Sequence, residues 1–288
     1  MTIDPQPAPR LYRPRPPLAG YVEFFGHWRH SGATYRSRAL PRGAVTIVFD
    51  VGRRQQLDFY AADGRTRLAV PPAVIAGPHR EPYVTDIAAE EPAMAIHFRP
   101  GGALPFFGIP LSDLEDASVG LDEIWGRAGH ELHERLIVAD SVAARFDLLE
   151  QFLLARARFS VSRHPGVAAA LAAIEANPSI RMTELRHLAG LPTKPMISQF
   201  RAEVGLAPKA YARIRRLQAA LRRLDGGTVS GAAIATDIGY FDQAHFLREF
   251  RSFTGMTPKQ YALQGRVLPG HVPAGRHKYP RPAAAASA

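Results

Sequence analysis

Four cations recur in two matched pairs along the chain. One stretch reads Phe200-Arg-Ala-Glu-Val-Gly-Leu-Ala-Pro-Lys-Ala-Tyr211, and a second reads Phe250-Arg-Ser-Phe-Thr-Gly-Met-Thr-Pro-Lys-Gln-Tyr261. Both obey F-R-x-x-x-G-x-x-P-K-x-Y, so Arg201 and Arg251 occupy one place in the unit and Lys209 and Lys259 another. Cations repeated on one scaffold suit phosphate oxygens, which fix the register of a protein on a duplex without reporting its sequence. The competing reading of such residues is a solvated helix face, and the repetition favours phosphate.

Other groups with chemical potential point nowhere in particular. His27, His30, His79 and His97 fall on or near predicted strands, but their spacings match no compact ligand motif, so neither a metal nor a cofactor is expected. His130 and His133, with Glu131 and Glu134, lack the H-E-x-x-H order and read as a solvated helical face. His245 reads as a packing or turn residue. There is no cysteine, which removes thiolate nucleophiles and thiolate zinc sites. No Ser-His-Asp set or phosphate-cradling loop is legible, and Arg99-Pro-Gly-Gly102 is a turn too short for one. The chain therefore reads as a non-enzyme with no catalytic residue. The alternative is an enzyme with a metal-binding N-terminal barrel, localised by a helical DNA-binding domain.

The elements that carry the repeated cations can be read from the same pattern. Phe200 and Phe250 fall on apolar helix faces; Gly205 and Gly255 stand where a helix end takes a left-handed residue, and Pro208 and Pro258 begin the next helix. Thr257 is a good N-cap and Ala207 a poor one. Upstream, residues 182–190 and 194–204 form a helix pair closed by Gly190, with Thr193 as the expected cap. In the second copy Ser230 caps residues 231–238, Gly239 ends that helix, and Asp242 caps 243–254. Helix, tight turn, helix is the shape of a helix-turn-helix reader, written twice. The run from Pro208 to Leu224 between the copies would span roughly 25 Å. That could set two recognition helices about one duplex turn apart, roughly 34 Å.

The remainder divides by period and composition. Residues 44–51, 56–60, 73–77, 83–87 and 93–98 are short, rich in β-branched and aromatic residues, and separated by turn signals, which predicts a small antiparallel barrel or sandwich. Residues 111–159 change to helical spacing. The overall class expected is α+β: a β-rich N-terminal domain followed by helices, then an all-α domain with two helix-turn-helix motifs. The expected domains are 1–160, 161–265, and a disordered basic tail at 266–288. Residues 1–160 hold 18 Lys+Arg against 19 Asp+Glu, residues 161–265 hold 14 against 7, and the tail holds 4 against none. Positive charge concentrated in the helical part suggests a polyanion, with nucleic acid ahead of a membrane. The proline-rich N-terminus has no apolar h-region and predicts no secretory signal. A cytoplasmic location follows.

Residues 239–261, GYFDQAHFLREFRSFTGMTPKQY, closely resemble the C-terminal signature of the AraC/XylS family of bacterial transcription regulators, and the resemblance covers about residues 165–264. The stretches WRH, LPRGAVTIVFD and HFRPGGALPFFGIPLSDLED resemble the sensor-like domain of an AraC-like subgroup. The resemblance implies a sequence-specific regulator of transcription bound to double-stranded DNA. A small-molecule effector, RNA polymerase and a second copy of the chain are the further candidate partners. By position it implies base-facing residues Lys194, Ile197 and Ser198 in the first unit and Gln243, Ala244, Leu247 and Arg248 in the second. Arg248 suits guanine O6 and N7, Gln243 adenine N6 and N7, and Leu247 a thymine methyl. The first unit departs from the pattern at Pro192, Pro195 and Ser198, so base discrimination is expected mainly from the second.

Overall fold

The computed structural model describes residues 9–30, 34–160, 162–227, 231–264 and 268–274. In the N-terminal part lie β1 (Arg10–Tyr12), β2 (Val22–Trp28), β3 (Tyr35–Ala39), β4 (Thr46–Asp50), β5 (Asp58–Tyr60), β6 (Arg67–Leu68), β7 (Ala73–Ala76), β8 (Tyr83–Ile87) and β9 (Ala93–Phe98). They are followed by α1 (Leu104–Phe107), β10 (Ser118–Gly120), α2 (Leu121–Trp125), α3 (Arg127–Val138) and α4 (Val142–Arg156). Seven more helices succeed them: α5 (Pro165–Ala176), α6 (Met182–Ala189), α7 (Thr193–Val204), α8 (Pro208–Asp225), α9 (Gly231–Asp237), α10 (Gln243–Thr254) and α11 (Pro258–Gln264). The last described element is β11 (His271–Pro273).

The strands form two antiparallel sheets, ordered β1-β2-β9-β4-β7-β10 and β11-β3-β8-β5-β6, and neither closes into a barrel. Alternation along a strand explains why the central strands are apolar throughout. Ile47, Phe49, Ile75, Met94, Ile96 and Phe98 turn from the first sheet towards Trp125, Leu132, Leu149 and Leu153 of the helices. Their neighbours Val48, Val74 and Ala95 turn the other way and meet Phe59 of the second sheet. The first sheet is thus the middle of three layers, between helices and a second sheet.

Three expectations are corrected. The stretch 111–159 is not continuously helical. It opens with a 3-10 turn at Leu111–Leu114, and Ser118–Gly120 adds the edge strand β10 against β7. Ser141 breaks the longer helical run into α3 and α4 by accepting a hydrogen bond from Ala144 N at 3.1 Å. The face assigned to His130 and His133 is solvated only in part. His130 is exposed and pairs with Glu134, whereas His133 is buried, its Nε2 2.6 Å from the Asp50 carbonyl. The basic tail is not disordered throughout: β11 pairs with β3, Val272 is wholly buried, and Leu40 N donates to Gly270 O at 2.8 Å. A Pro- and Gly-rich stretch can still supply an edge strand, where few of its amides are needed for pairing. Residues 266–267 and 275–288 of that tail, and the Ser230 cap, lie outside the described residues.

Candidate nucleic-acid interface

The two copies share their interior geometry. Phe200 and Phe250 are both fully buried, and each packs on the tyrosine that ends its repeat, with ring centroids 5.9 Å apart for Phe200–Tyr211 and 5.8 Å for Phe250–Tyr261. Each tyrosine hydroxyl donates to a carboxylate on the helix that precedes its unit: Tyr211 to Glu175 on α5, and Tyr261 to Asp225 on α8 at 2.7 Å. The repeat therefore extends beyond the residue pattern that revealed it. The end of α8 does for the second unit what the end of α5 does for the first. Burial and the nearby Glu175 carboxylate hold the Tyr211 hydroxyl well above its ordinary pKa, so it remains a proton donor.

Local chemistry sets the helix ends. Gly205 and Gly255 have φ of 91° and 74°, left-handed values that cost a residue with a Cβ about 1–2 kcal/mol. Asp242 accepts from His245 N at 2.6 Å, capping α10. Thr257 and Gln260 form a reciprocal capping box at α11: Thr257 N donates to Gln260 Oε1, and Gln260 N donates to Thr257 Oγ1. The first recognition helix differs from expectation. Pro192 is the N-cap of α7, Thr193 is its first helical residue, and neither side chain caps it. Proline fixes the extended entry to the helix but carries no side-chain acceptor.

On α10, Gln243, Ala244, Leu247 and Arg248 are all exposed, on the side opposite Phe246, Phe250 and Phe253. Among the described residues the side chains of Gln243 and Arg248 make no hydrogen bond or ion pair, so both have their side-chain donors available. The side chains of Arg251 and Lys259 are exposed and likewise unengaged among the described residues. In the first unit Lys194 and Ser198 are exposed, while Ile197 is half-buried and packs on the core around Met196 and Phe200. Lys209 is exposed. His245 is half-buried, edge-on to the Tyr240 ring at 5.2 Å, and 4.0 Å from Glu249.

The equivalence of Arg201 and Arg251 breaks in space. Arg201 donates to Glu115 Oε2 at 2.7 Å, and Glu115 belongs to the N-terminal part of the chain. A second cross-link escaped sequence reasoning altogether. Arg213 on α8 donates to Glu249 of α10 at 3.1 Å and to Glu81 of the N-terminal part at 2.9 Å, and its guanidinium lies 4.2 Å from the Phe253 ring centroid. Glu249 also accepts from the Tyr240 hydroxyl at 2.7 Å. Nothing in the local sequence pairs Glu81 or Glu115 with arginines more than eighty residues away. Phe241 is the other missed residue: it sits 93% exposed in the turn before α10.

The scattered histidines remain apart. His27 lies on β2 beside Arg145, the His97 ring lies tilted against Phe24 with centroids 4.4 Å apart, and among the described residues no three His, Cys, Asp or Glu gather as a metal site. No helix among the described residues is long and apolar enough to cross a membrane.

Residues 187–264 match a family model described as a helix-turn-helix domain. A putative AraC-like transcription regulator of Streptomyces antibioticus is 31% identical over 99 residues, which are 34% of this chain and 33% of that protein. Residues 187–264 belong to a helix-turn-helix domain of the AraC type. An uncharacterized HTH-type transcriptional regulator of Haemophilus influenzae is 32% identical over 78 residues, 27% of this chain and 26% of that protein. The chain thus spans a quarter to a third of the length of these curated relatives. Among solved structures, a probable AraC family transcriptional regulator from Rhodopseudomonas palustris CGA009 is similar to the AraC-type part at 30% identity, with a TM-score of 0.31, covering 34% of this chain and 94% of that one. Ahead of the AraC-type domain, residues 10–120 match a model described as a domain of unknown function (DUF6597).

Proposed function

We propose that the protein is a sequence-specific DNA-binding regulator of transcription that reads two neighbouring major-groove segments. The observation that carries this reading is the duplicated unit. Two helix-turn-helix modules repeat the same interior geometry around separate cores, and each presents a polar, solvent-facing recognition helix. In this reading Gln243 and Arg248 lead base discrimination, and Leu247 and Ala244 shape the contact with thymine methyls. Lys194, Ile197 and Ser198 contribute less, because a half-buried Ile197 and a short Ser198 reach fewer base edges. Arg251, Lys209 and Lys259 hold phosphates, joined by Arg201 when it leaves Glu115. Residues 1–160 form the sensing or self-association part and 161–265 the DNA-reading part. A small effector, RNA polymerase and a second copy are the further partners, and the cytoplasm is the location. The chain performs no catalysis in this reading.

The test is a selection of genomic fragments by the purified protein, with affinities of the selected fragments followed across salt concentration. Two short motifs about ten base pairs apart support two readers on one face of the duplex. Absence of any shared motif, with affinity falling alike for every fragment in salt, would overturn sequence-specific reading.

A further inference from the structure

The two sheets do not pack flat on each other. A slot enclosing about 110 Å³ runs between them, enough for several waters or a compact organic molecule. Its middle is apolar, lined by Phe24, Trp28, Val48, Phe59 and Ala95. Towards one end the lining becomes polar at His97, Tyr83, Arg42 and His271. His97 Nδ1 lies 3.3 Å from Thr46 Oγ1, and His271 Nδ1 lies 3.1 Å from Ser37 Oγ. The second ring nitrogen of each has no hydrogen-bond partner among the described residues.

The chemistry of that end selects for an uncharged ligand. Burial, reinforced by the Arg42 guanidinium, lowers the pKa of His271 to about 4 and holds His97 well below its ordinary range. Both imidazoles are therefore neutral near pH 7, able to donate or accept but not to balance an anion. Arg42 is already matched by Glu23, and its guanidinium lies 5.5 Å from the Phe24 ring centroid. A carboxylate would be desolvated with no unmatched cation to meet it, because Arg54, the other arginine of the lining, is held by Asp58. An ammonium would find the lining carboxylates already engaged: Asp86 by Arg36, Glu81 by Arg213, and Asp50 and Glu91 by the backbone amides of Gly52 and Arg53. A hydroxyl or carbonyl on an apolar ring satisfies neutral imidazoles and fills the apolar middle.

The wall at this end is supplied from far along the chain. Leu268, Pro269, Gly270 and His271 line the slot, although they follow the second helix-turn-helix unit. β11 is held to β3 by its ladder, and Ala274 N donates to Arg36 O at 3.1 Å. Successive side chains on a strand face opposite ways. His271 lines the slot, whereas Val272, wholly buried, belongs to the core formed by Leu217, Leu221, Phe250 and Phe253 of the second unit. One short strand thus touches both the slot and the packing beneath the second recognition helix.

We propose that the slot binds a compact, uncharged molecule with an apolar ring and a hydroxyl or carbonyl group, and that β11 transmits its occupancy to the second helix-turn-helix unit. The second half rests on the regulator reading; the first does not.

The test uses the full chain and 2-naphthol as the probe, with 2-naphthoate and 2-naphthylmethylamine as charged counterparts, measured by calorimetry near pH 7. Naphthol is expected to bind about tenfold more tightly than either counterpart, and His97→Ala and His271→Ala each to weaken it about tenfold. Equal binding of the three probes, or no binding of naphthol at millimolar concentration, would overturn the site. Hydrogen exchange at the amides of His271, Val272 and Ala274 should slow with naphthol bound, and affinity for a selected DNA fragment should change by about fivefold or more. Val272→Ala should leave naphthol binding within about twofold while shrinking that change. Unaltered exchange and unaltered DNA affinity with naphthol bound would overturn transmission through β11. Should the protein bind no DNA at all, the regulator reading fails, while calorimetry and exchange still decide the slot and the strand.

Discussion

Arg248 and Arg251 lie three positions apart on one helix yet should fail differently when removed. Arg248→Ala should cost about 1–3 kcal/mol on the preferred site and relax discrimination at one base pair, because a bidentate contact to a base edge is lost. Arg251→Ala should weaken all sequences alike and lower the slope of log affinity against log salt by about one, as expected for one phosphate contact. Titrations of each variant on the selected site and on random DNA separate the two; an equal loss on both DNAs for Arg248→Ala would make it another phosphate contact. The buried imidazoles set a second residue-scale expectation. His27 and His271 have pKa values lowered to about 4, His27 by burial and then by Arg145, His271 by burial and then by Arg42. Between their unfolded value near 6.5 and about 4 the unfolded chain binds more protons than the folded one, so stability should fall as pH drops through that window. Urea midpoints measured from pH 7 to pH 4 should decline, and His271→Asn should make the decline shallower.

The elements turn on two glycines in equivalent places. Gly205 and Gly255 both end a recognition helix in the left-handed region, so alanine at either should cost about 1–2 kcal/mol for its backbone alone. Their surroundings differ. A Cβ on Gly205 would stand 2.5 Å from Pro78 Cγ and 3.0 Å from the Leu111 carbonyl, whereas one on Gly255 would meet nothing closer than Arg38 Nε at 3.5 Å. Gly205→Ala should therefore destabilise clearly more than Gly255→Ala in urea unfolding; equal losses would mean that the first unit is not seated firmly against Pro78 and Leu111. At the other end of α10, Asp242→Ala should cost about 1 kcal/mol through loss of the cap. Helix stops and starts of this kind were readable in advance, because the left-handed glycine, the first-turn proline and the capping oxygen act within a few residues. The first recognition helix was misread at its cap: Thr193 lies one residue inside α7, since Pro192 already sets the entry.

At the scale of the molecule, both helix-turn-helix units are fastened to the N-terminal part. The first is tied through Arg201 to Glu115, and the second through Arg213 to Glu81 and Val272 to the strand beside β3. Glu115→Gln should release Arg201, raise affinity for DNA of any sequence, and steepen the salt slope by about one. An unchanged slope would mean that Arg201 does not reach phosphate. The sequence by itself determined the duplicated helix-turn-helix unit, its helices, the exposed residues of α10 and most of the strands of the first sheet's centre. All of these follow from periodicities and end signals spanning fewer than twenty residues. Only the tertiary structure decided that His133 is buried, that Arg201 and Arg251 are inequivalent, and that residues 271–273 complete a sheet begun more than two hundred residues earlier. Those outcomes depend on partners distant in the chain, where no local pattern records which carboxylate meets which arginine or which edge is left open for a returning strand.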